Sequence, residues 1–144
     1  MPLVSVTRLR IRSIVFLPAF AFHAVRANGQ LRSAIGFQAG ALLPDRHRTF
    51  WTLSLWERAE DMQAYIRTGP HKMAMPKLMK WCDEASVVRW EQDGSALPDW
   101  QEADRRMRSE GRPSKVRHPT AAHLAMTFAS PARRGGAVVS PRRS

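Results

Sequence analysis

The chain has 144 residues, 44% of them hydrophobic, which predicts one small globular domain with a packed core. Its net charge of +11 suggests nucleic acid as a partner. The charge is spread, however: residues 1–97 hold 13 Lys/Arg and 8 Asp/Glu, and residues 98–144 hold 10 and 4. Because Trp100 and Phe128 are the only large rings in the second part, it lacks a stacking platform for bases, and nucleic acid is not the favoured partner.

The N-terminal sequence allows two interpretations. Three arginines within residues 8–12 precede the apolar run 14–22, and residues 25–27 resemble a cleavage site, which together outline a signal peptide. Against this, residues 4–11 already have a strand pattern, and the run is too short to span a bilayer. The single Cys82 cannot form an internal disulfide, as is typical of a reduced compartment. We therefore expect a cytoplasmic protein in which the run forms a buried helix that can also contact a membrane surface.

The first half of the chain predicts a strand, a helix and a second strand. Residues 3–12 alternate with a partial period of two, and residues 14–27 have a helical composition with Pro18 near the first turn. Asn28-Gly29 is a typical left-handed helix stop, and residues 35–43 predict the second strand.

The clearest strand covers residues 49–56, after a turn at Pro44. Its alternation places Trp51 on one face and Trp56 on the other. Residues 57–84 are helical in composition, with a break at Thr68-Gly69-Pro70 and a kink or restart expected at Pro76. The last strand of this part covers residues 85–91.

The resulting order, β-α-β-β-α-β, predicts an α+β ferredoxin-like domain over residues 1–97, with a four-stranded antiparallel sheet and two helices on one face. The other face would be half apolar, so we expect a homodimer joined through the sheets. For residues 98–144 we expect a short charged helix at 99–110, then a basic arm from 111 that becomes disordered toward its end.

Motifs for nucleophilic catalysis, phosphate binding or a structural metal are missing from the sequence. One histidine, His71, follows the helix break and shares an apolar face with Met75. An imidazole on an apolar wall that faces a sheet can serve as an axial haem ligand. The alternative is a partly buried histidine bonded to a backbone carbonyl near Pro76. Trp51, Trp56, Tyr65 and Met75 are candidates for a substrate pocket beside it.

Two stretches, FWTLSLW at 50–56 and MQAYIRTGPHKMAM at 62–75, resemble the dimeric α/β-barrel superfamily, which contains antibiotic-biosynthesis and haem-degrading monooxygenases. Within it, the strand ending in Leu-Trp and the Gly-x-His-x-x-Ala-Met segment are similar to spheroidene-monooxygenase-like bacterial proteins. The resemblance implies a ferredoxin-like homodimer with a pocket between the second helix and the sheet. It implies an axial haem histidine at the position of His71, or, in cofactor-independent members, polar and aromatic pocket groups such as Tyr65 and Thr52.

Three functions remain open on this basis. The first is a monooxygenase-like protein, with haem or without a cofactor, that acts on an apolar small molecule such as a carotenoid or lipid. The second is a non-catalytic ligand-binding or structural homodimer of the same fold. The third, which the composition favours least, is nonspecific nucleic-acid binding through the basic segments 105–117 and 133–143.

Overall fold

The computed structural model describes residues 1–128, 130–131 and 136–142 of the chain. A single 3-10 turn, Ile14–Phe16, precedes the first α-helix. The strands and helices are, in chain order, β1 (Leu3–Ile11), α1 (Leu17–Arg32), β2 (Phe37–Asp45), β3 (Thr49–Trp56), α2 (Ala59–Ile66), α3 (Gly69–Trp81), β4 (Cys82–Glu91), α4 (Trp100–Glu110), β5 (Arg112–Pro113), α5 (Ala121–Ala125) and β6 (Ala137–Val139).

The predicted β-α-β-β-α-β order is confirmed, with two shifts in helix boundaries. The prediction that the first helix stops at Asn28-Gly29 is wrong, because α1 continues to Arg32 and thereby buries Leu31 against the core. Nothing lies within 4 Å of a Cβ built at Gly29, so this glycine is tolerated rather than required. The break at Gly69 is real, whereas Pro76 lies inside α3 without ending it.

The sheet is antiparallel and has six strands in the order β5-β4-β1-β3-β2-β6, where the sequence predicted four. The four central strands are the predicted ones, and the two additional strands come from the C-terminal part of the chain. β5 pairs with the edge of β4, and β6 pairs with the edge of β2. These strands of two and three residues pair with Ser86 and Val87 of β4 and with residues 40–42 of β2, so each covers part of an edge.

The two faces of the sheet have different covers. On the first face, α1, α2 and α3 pack over two groups of apolar side chains, one around Trp56 and one around Ile11 and Cys82. The second face carries Val4, Val6, Trp51, Leu53, Leu55, Val88 and Trp90, all 9% exposed or less. The sequence predicted that a second subunit covers this face, but Ala103 and Met107 of α4 and the ring of Phe128 lie on it, within the same chain.

The segment that follows α4 is also bonded to the sheet. The N–H groups of Ser114 and Thr120 donate to the carbonyls of Ala85 and Asp83, at 2.8 and 3.1 Å. Nδ1 of His123, a residue 4% exposed, accepts from the N–H of Ala85 at 3.1 Å. Where it is described, the arm is therefore attached to the sheet rather than extended into solvent, and part of the predicted disorder falls on residues outside the described ranges. The division of the chain at residue 97 stays a prediction.

Among the described residues, no helix is long and apolar enough to span a membrane.

Candidate functional site

Aromatic side chains form a cluster on the first sheet face, where the helical segment is interrupted. Tyr65 lies at the end of α2 and His71 at the start of α3, and the break between them brings their rings to a centroid distance of 4.9 Å. Trp56, the last residue of β3, lies 5.4 Å from Tyr65 and 5.6 Å from Phe37. Gly69, with φ of +61°, allows the sharp turn that places the two helix ends side by side. We call these four rings the aromatic cluster.

Gln30 of α1 holds the break in place. Its Nε2 donates to the carbonyls of Tyr65 and Thr68 at 3.0 and 2.8 Å, and its Oε1 accepts from the N–H of His71 at 2.9 Å. The hydroxyl of Tyr65 donates to the carbonyl of Ala27 at 3.2 Å. One amide side chain thus satisfies backbone groups that the break leaves free. The role of Gln30 was not predicted, because a glutamine near the end of an amphipathic helix indicates only a solvent-exposed face.

The imidazole of His71 lies in an environment that favours its neutral form. Burial lowers the pKa of His71, the charge of Arg89 lowers it further, and the carbonyl of Ile66 acts in the opposite direction. Nδ1 of His71 is buried. Burial also raises the pKa of Tyr65, so its phenol stays protonated. At neutral pH the site therefore holds an uncharged imidazole beside a neutral phenol.

A groove of about 330 Å³ opens between the end of α1 and β6. Its lining residues are Asn28, Arg32, Val138, Val139 and Ser140. Val139 also packs in the group of apolar side chains around Trp56, so the groove and the aromatic cluster share a wall. Oδ1 of Asn28 is buried without a partner among the described residues, and Nε of Arg32 donates to the carbonyl of Ser140 at 3.1 Å. The volume is at the lower end of the range for small-molecule sites.

The structure brings together three of the five residues expected at the site: Trp56, Tyr65 and His71. It does not bring Trp51 to them, because β3 alternates and Trp51 lies on the second face, 6.1 Å from Phe128. Met75 is 39% exposed and belongs to none of the buried groups. Phe37 and Gln30 take part in the cluster although the sequence did not predict them.

Haem does not fit the residues around His71. One face of the imidazole packs on Tyr65 at a ring-centroid distance of 4.9 Å, which leaves no room there for the macrocycle. The groove of about 330 Å³ does not include His71 in its lining. Across the described residues, no group of three His, Cys, Asp or Glu side chains is placed to hold a metal ion.

The same fold occurs in solved structures of low sequence identity. A variant of SnoaB, a cofactor-independent oxygenase from Streptomyces nogalater, is 11% identical, with a TM-score of 0.55 over 65% of this chain and 95% of that chain. Rv0793 from Mycobacterium tuberculosis is 9% identical, with a TM-score of 0.59 over 67% and 99%. A dimeric ferredoxin-like protein of unknown function from Jannaschia sp. CCS1 is 16% identical, with a TM-score of 0.57 over 64% and 100%.

These likenesses confirm the ferredoxin-like fold, which is also found in solved structures described as antibiotic biosynthesis monooxygenases. The nearer likeness to spheroidene-monooxygenase-like proteins stays a prediction. No curated protein matches the sequence. A family model does match, over residues 18–135, a range that includes the aromatic cluster, α4 and Phe128. The chain therefore belongs to the family described as Domain of unknown function (DUF3291).

Proposed function

We propose that the protein is a cofactor-independent monooxygenase that oxidises an apolar small molecule beside the aromatic cluster, with His71 as the general base. The observation that carries this proposal is the neutral imidazole of His71, whose ring centroid lies 4.9 Å from that of Tyr65 in the aromatic cluster. A base whose pKa lies below neutrality is ready to accept a proton at pH 7.

The substrate class follows from this arrangement. Apolar rings suit a hydrophobic substrate, and the polar groups of Asn28 and Arg32 in the neighbouring groove suit one hydroxyl or carbonyl at its end. A CH₂ group made acidic by adjacent aromatic rings or a carbonyl is the reactive group that a weak base can deprotonate. The polyene chain of a carotenoid lacks such a group, so aromatic ketones with a CH₂ group beside the ring or the carbonyl fit this mechanism better.

The proposed reaction needs O₂ and no other co-reactant. The imidazole of His71 takes a proton from the CH₂ group, and the resulting carbanion gives its electron pair to O₂, which forms a C–O bond and a peroxide anion. The second C–H proton then passes to the outer peroxide oxygen as the O–O bond breaks, which leaves a ketone and hydroxide. The hydroxide takes the first proton back from the imidazolium and becomes water. The sum is one CH₂ and one O₂ converted to one C=O and one H₂O.

Oxygen uptake with anthrone as the probe tests this function. We expect saturable uptake of one O₂ per anthrone. In His71→Ala the rate of uptake should fall about 10²–10⁴-fold, because a positioned base is lost. His118→Ala, at an exposed position in the C-terminal part, should keep the wild-type rate. Saturable quenching of tryptophan fluorescence without uptake would replace the proposal with a non-catalytic ligand-binding function. A saturable Soret band on titration with haemin, lost in His71→Ala, would replace it with haem binding.

The location and assembly expected from the sequence belong to the same proposal. A cytoplasmic site of action at a membrane surface, where apolar compounds dissolve, is supported by the unpaired Cys82 and the apolar helix α1. A homodimer also belongs to this proposal. If the subunits joined through the second face of the sheet, α4 and Phe128 would have to leave that face.

A further inference from the structure

Large apolar side chains are exposed on the outer side of the helical layer. Ile14 and Val15 precede α1, Phe22 and Val25 lie on it, and Met73 lies on α3, each between 57% and 72% exposed. Val15, Phe22 and Val25 are seven and three residues apart, so they share one side of a helical segment. Single exposed apolar residues are ordinary, but several of them along one helix indicate a surface that binds a protein or a membrane. We call these five residues the helical face.

The two helices form one continuous surface here. The side chain of Lys77 on α3 lies 3.4 Å from the ring of His23 on α1. At the other end, Nε of Arg12 donates to the carbonyl of Lys80 at 2.9 Å. The apolar residues of α1 and of α3 are therefore presented side by side, and α1 alone is about 24 Å long.

The segments that carry the helical face contain no acidic residue. Residues 1–44 and 62–82, which include all of α1 and α3, contain no Asp and no Glu. The cations on α1 and α3 are Arg26, Arg32, Lys72, Lys77 and Lys80, and Arg12 is bonded to the end of α3. Burial, and after it the positive charges of Lys77 and Arg26, lower the pKa of His23.

We propose that the helical face docks the protein on a bilayer of anionic lipids, with α1 and α3 lying in the plane of the membrane. Apolar side chains in the middle enter the boundary between headgroups and acyl chains, and the lysines and arginines beside them meet lipid phosphates. A nucleic acid would use the cations but not the exposed apolar row, and an uncharged lipid would use the row but not the cations. This proposal rests on the membrane location given under Proposed function and names the surface and the lipid; it does not depend on the reaction at His71.

Co-sedimentation with vesicles tests the docking without any substrate. We expect the wild-type protein to bind phosphatidylglycerol vesicles and to leave phosphatidylcholine vesicles unbound, and its affinity should fall as salt rises. Phe22→Ser with Val25→Ser should weaken binding at least about tenfold, because two apolar side chains no longer enter the bilayer. Lys77→Gln with Lys80→Gln should weaken it about 25-fold, given about fivefold for each basic residue near an anionic surface.

Matched controls separate docking from unfolding and from general stickiness. Leu124→Ser removes an apolar side chain that is 68% exposed on α5, outside the helical face, and should bind like the wild type. All variants change exposed positions, so their thermal unfolding midpoints should agree with the wild type. The proposal would be overturned if the variant Phe22→Ser with Val25→Ser bound as tightly as the wild type. It would also be overturned if the wild-type protein did not bind phosphatidylglycerol vesicles. Oxygen uptake from anthrone in vesicle-free buffer is scored separately, so failure of one proposal does not conceal failure of the other.

Discussion

Replacing Glu84 by Gln should destabilise the protein far more than its conservative nature suggests. The Glu84 side chain is 4% exposed and accepts from Arg8 at 2.6 Å, from Arg10 at 3.0 Å and from Thr120 at 3.0 Å. Arg8 is itself 4% exposed, so the neutral amide of Gln would leave a buried guanidinium without a counter-charge. Breaking a buried pair in this way costs about 3–5 kcal/mol, a large part of the about 5–15 kcal/mol that keeps a small domain folded.

Urea unfolding at pH 7, followed by tryptophan fluorescence, measures the loss for Glu84→Gln. Glu102→Gln is the matched control, since this carboxylate on α4 also accepts from two arginines, Arg105 and Arg106, but lies at the surface, where an ion pair contributes about 0–1 kcal/mol. A double variant, Arg8→Met with Glu84→Met, should recover much of the loss because it removes both charges. If Glu84→Gln stays within about 1 kcal/mol of the wild type, the reasoning that Arg8 depends on this carboxylate is refuted.

The pH dependence of unfolding gives an independent check. Burial opposes ionisation of Glu84, but the hydrogen bonds and charge of Arg8 outweigh it, and its pKa lies below the ordinary 4.5. A carboxyl group with a depressed pKa in the folded state stabilises that state above its unfolded pKa, and this stabilisation disappears as the pH falls through the folded pKa. The wild type should therefore lose stability below about pH 4.5, and Glu84→Gln should lose less over the same range.

Three further results are expected. Met107→Ala should lower the free energy of unfolding, measured in urea, by about 2–5 kcal/mol, because Met107 is 0% exposed on the second face. Leu124→Ala, at a largely exposed position, should change this free energy by less than about 0.5 kcal/mol. Gly69→Ala should cost about 1 kcal/mol by the same assay, since φ of +61° disfavours a Cβ; no change would show that the break does not need glycine. Cys82 should react with a thiol reagent only after unfolding, because burial, and then Asp83, raise its pKa to about 12; rapid reaction of the native protein would contradict this.

The central strands could be read from the sequence because their alternation is a local property. The face of each β3 residue follows from a period of two, and Trp51 and Trp56 are indeed on opposite faces. The prediction that Trp51 and Trp56 line one pocket is inconsistent with that alternation. Tyr65 and His71 could be anticipated because they flank a glycine-proline break that any helix must accommodate.

The cover of the second sheet face could not be predicted, because its signal is too sparse. α4 is strongly charged and buries only Ala103 and Met107, four residues apart, and Phe128 is a lone ring in a segment without periodicity. These contacts depend on tertiary packing against the strands, for example that of Phe128 on Trp51, a strand residue far earlier in the sequence. Gln30 was missed for a related reason, since its partners, Tyr65 and His71, lie 35 and 41 residues further along the chain.

The position of this cover in the chain has a consequence for synthesis. The ribosome completes the four central strands of the sheet when it reaches Glu91, but the side chains that cover the second face arrive only with Met107 and Phe128. Because domains begin to fold from the N-terminus during translation, the nascent protein carries an open apolar sheet face until Phe128 has emerged. Products that end between Glu91 and Phe128 would keep that face exposed and become substrates for chaperones and proteases, so synthesis through Phe128 is a condition for covering the sheet.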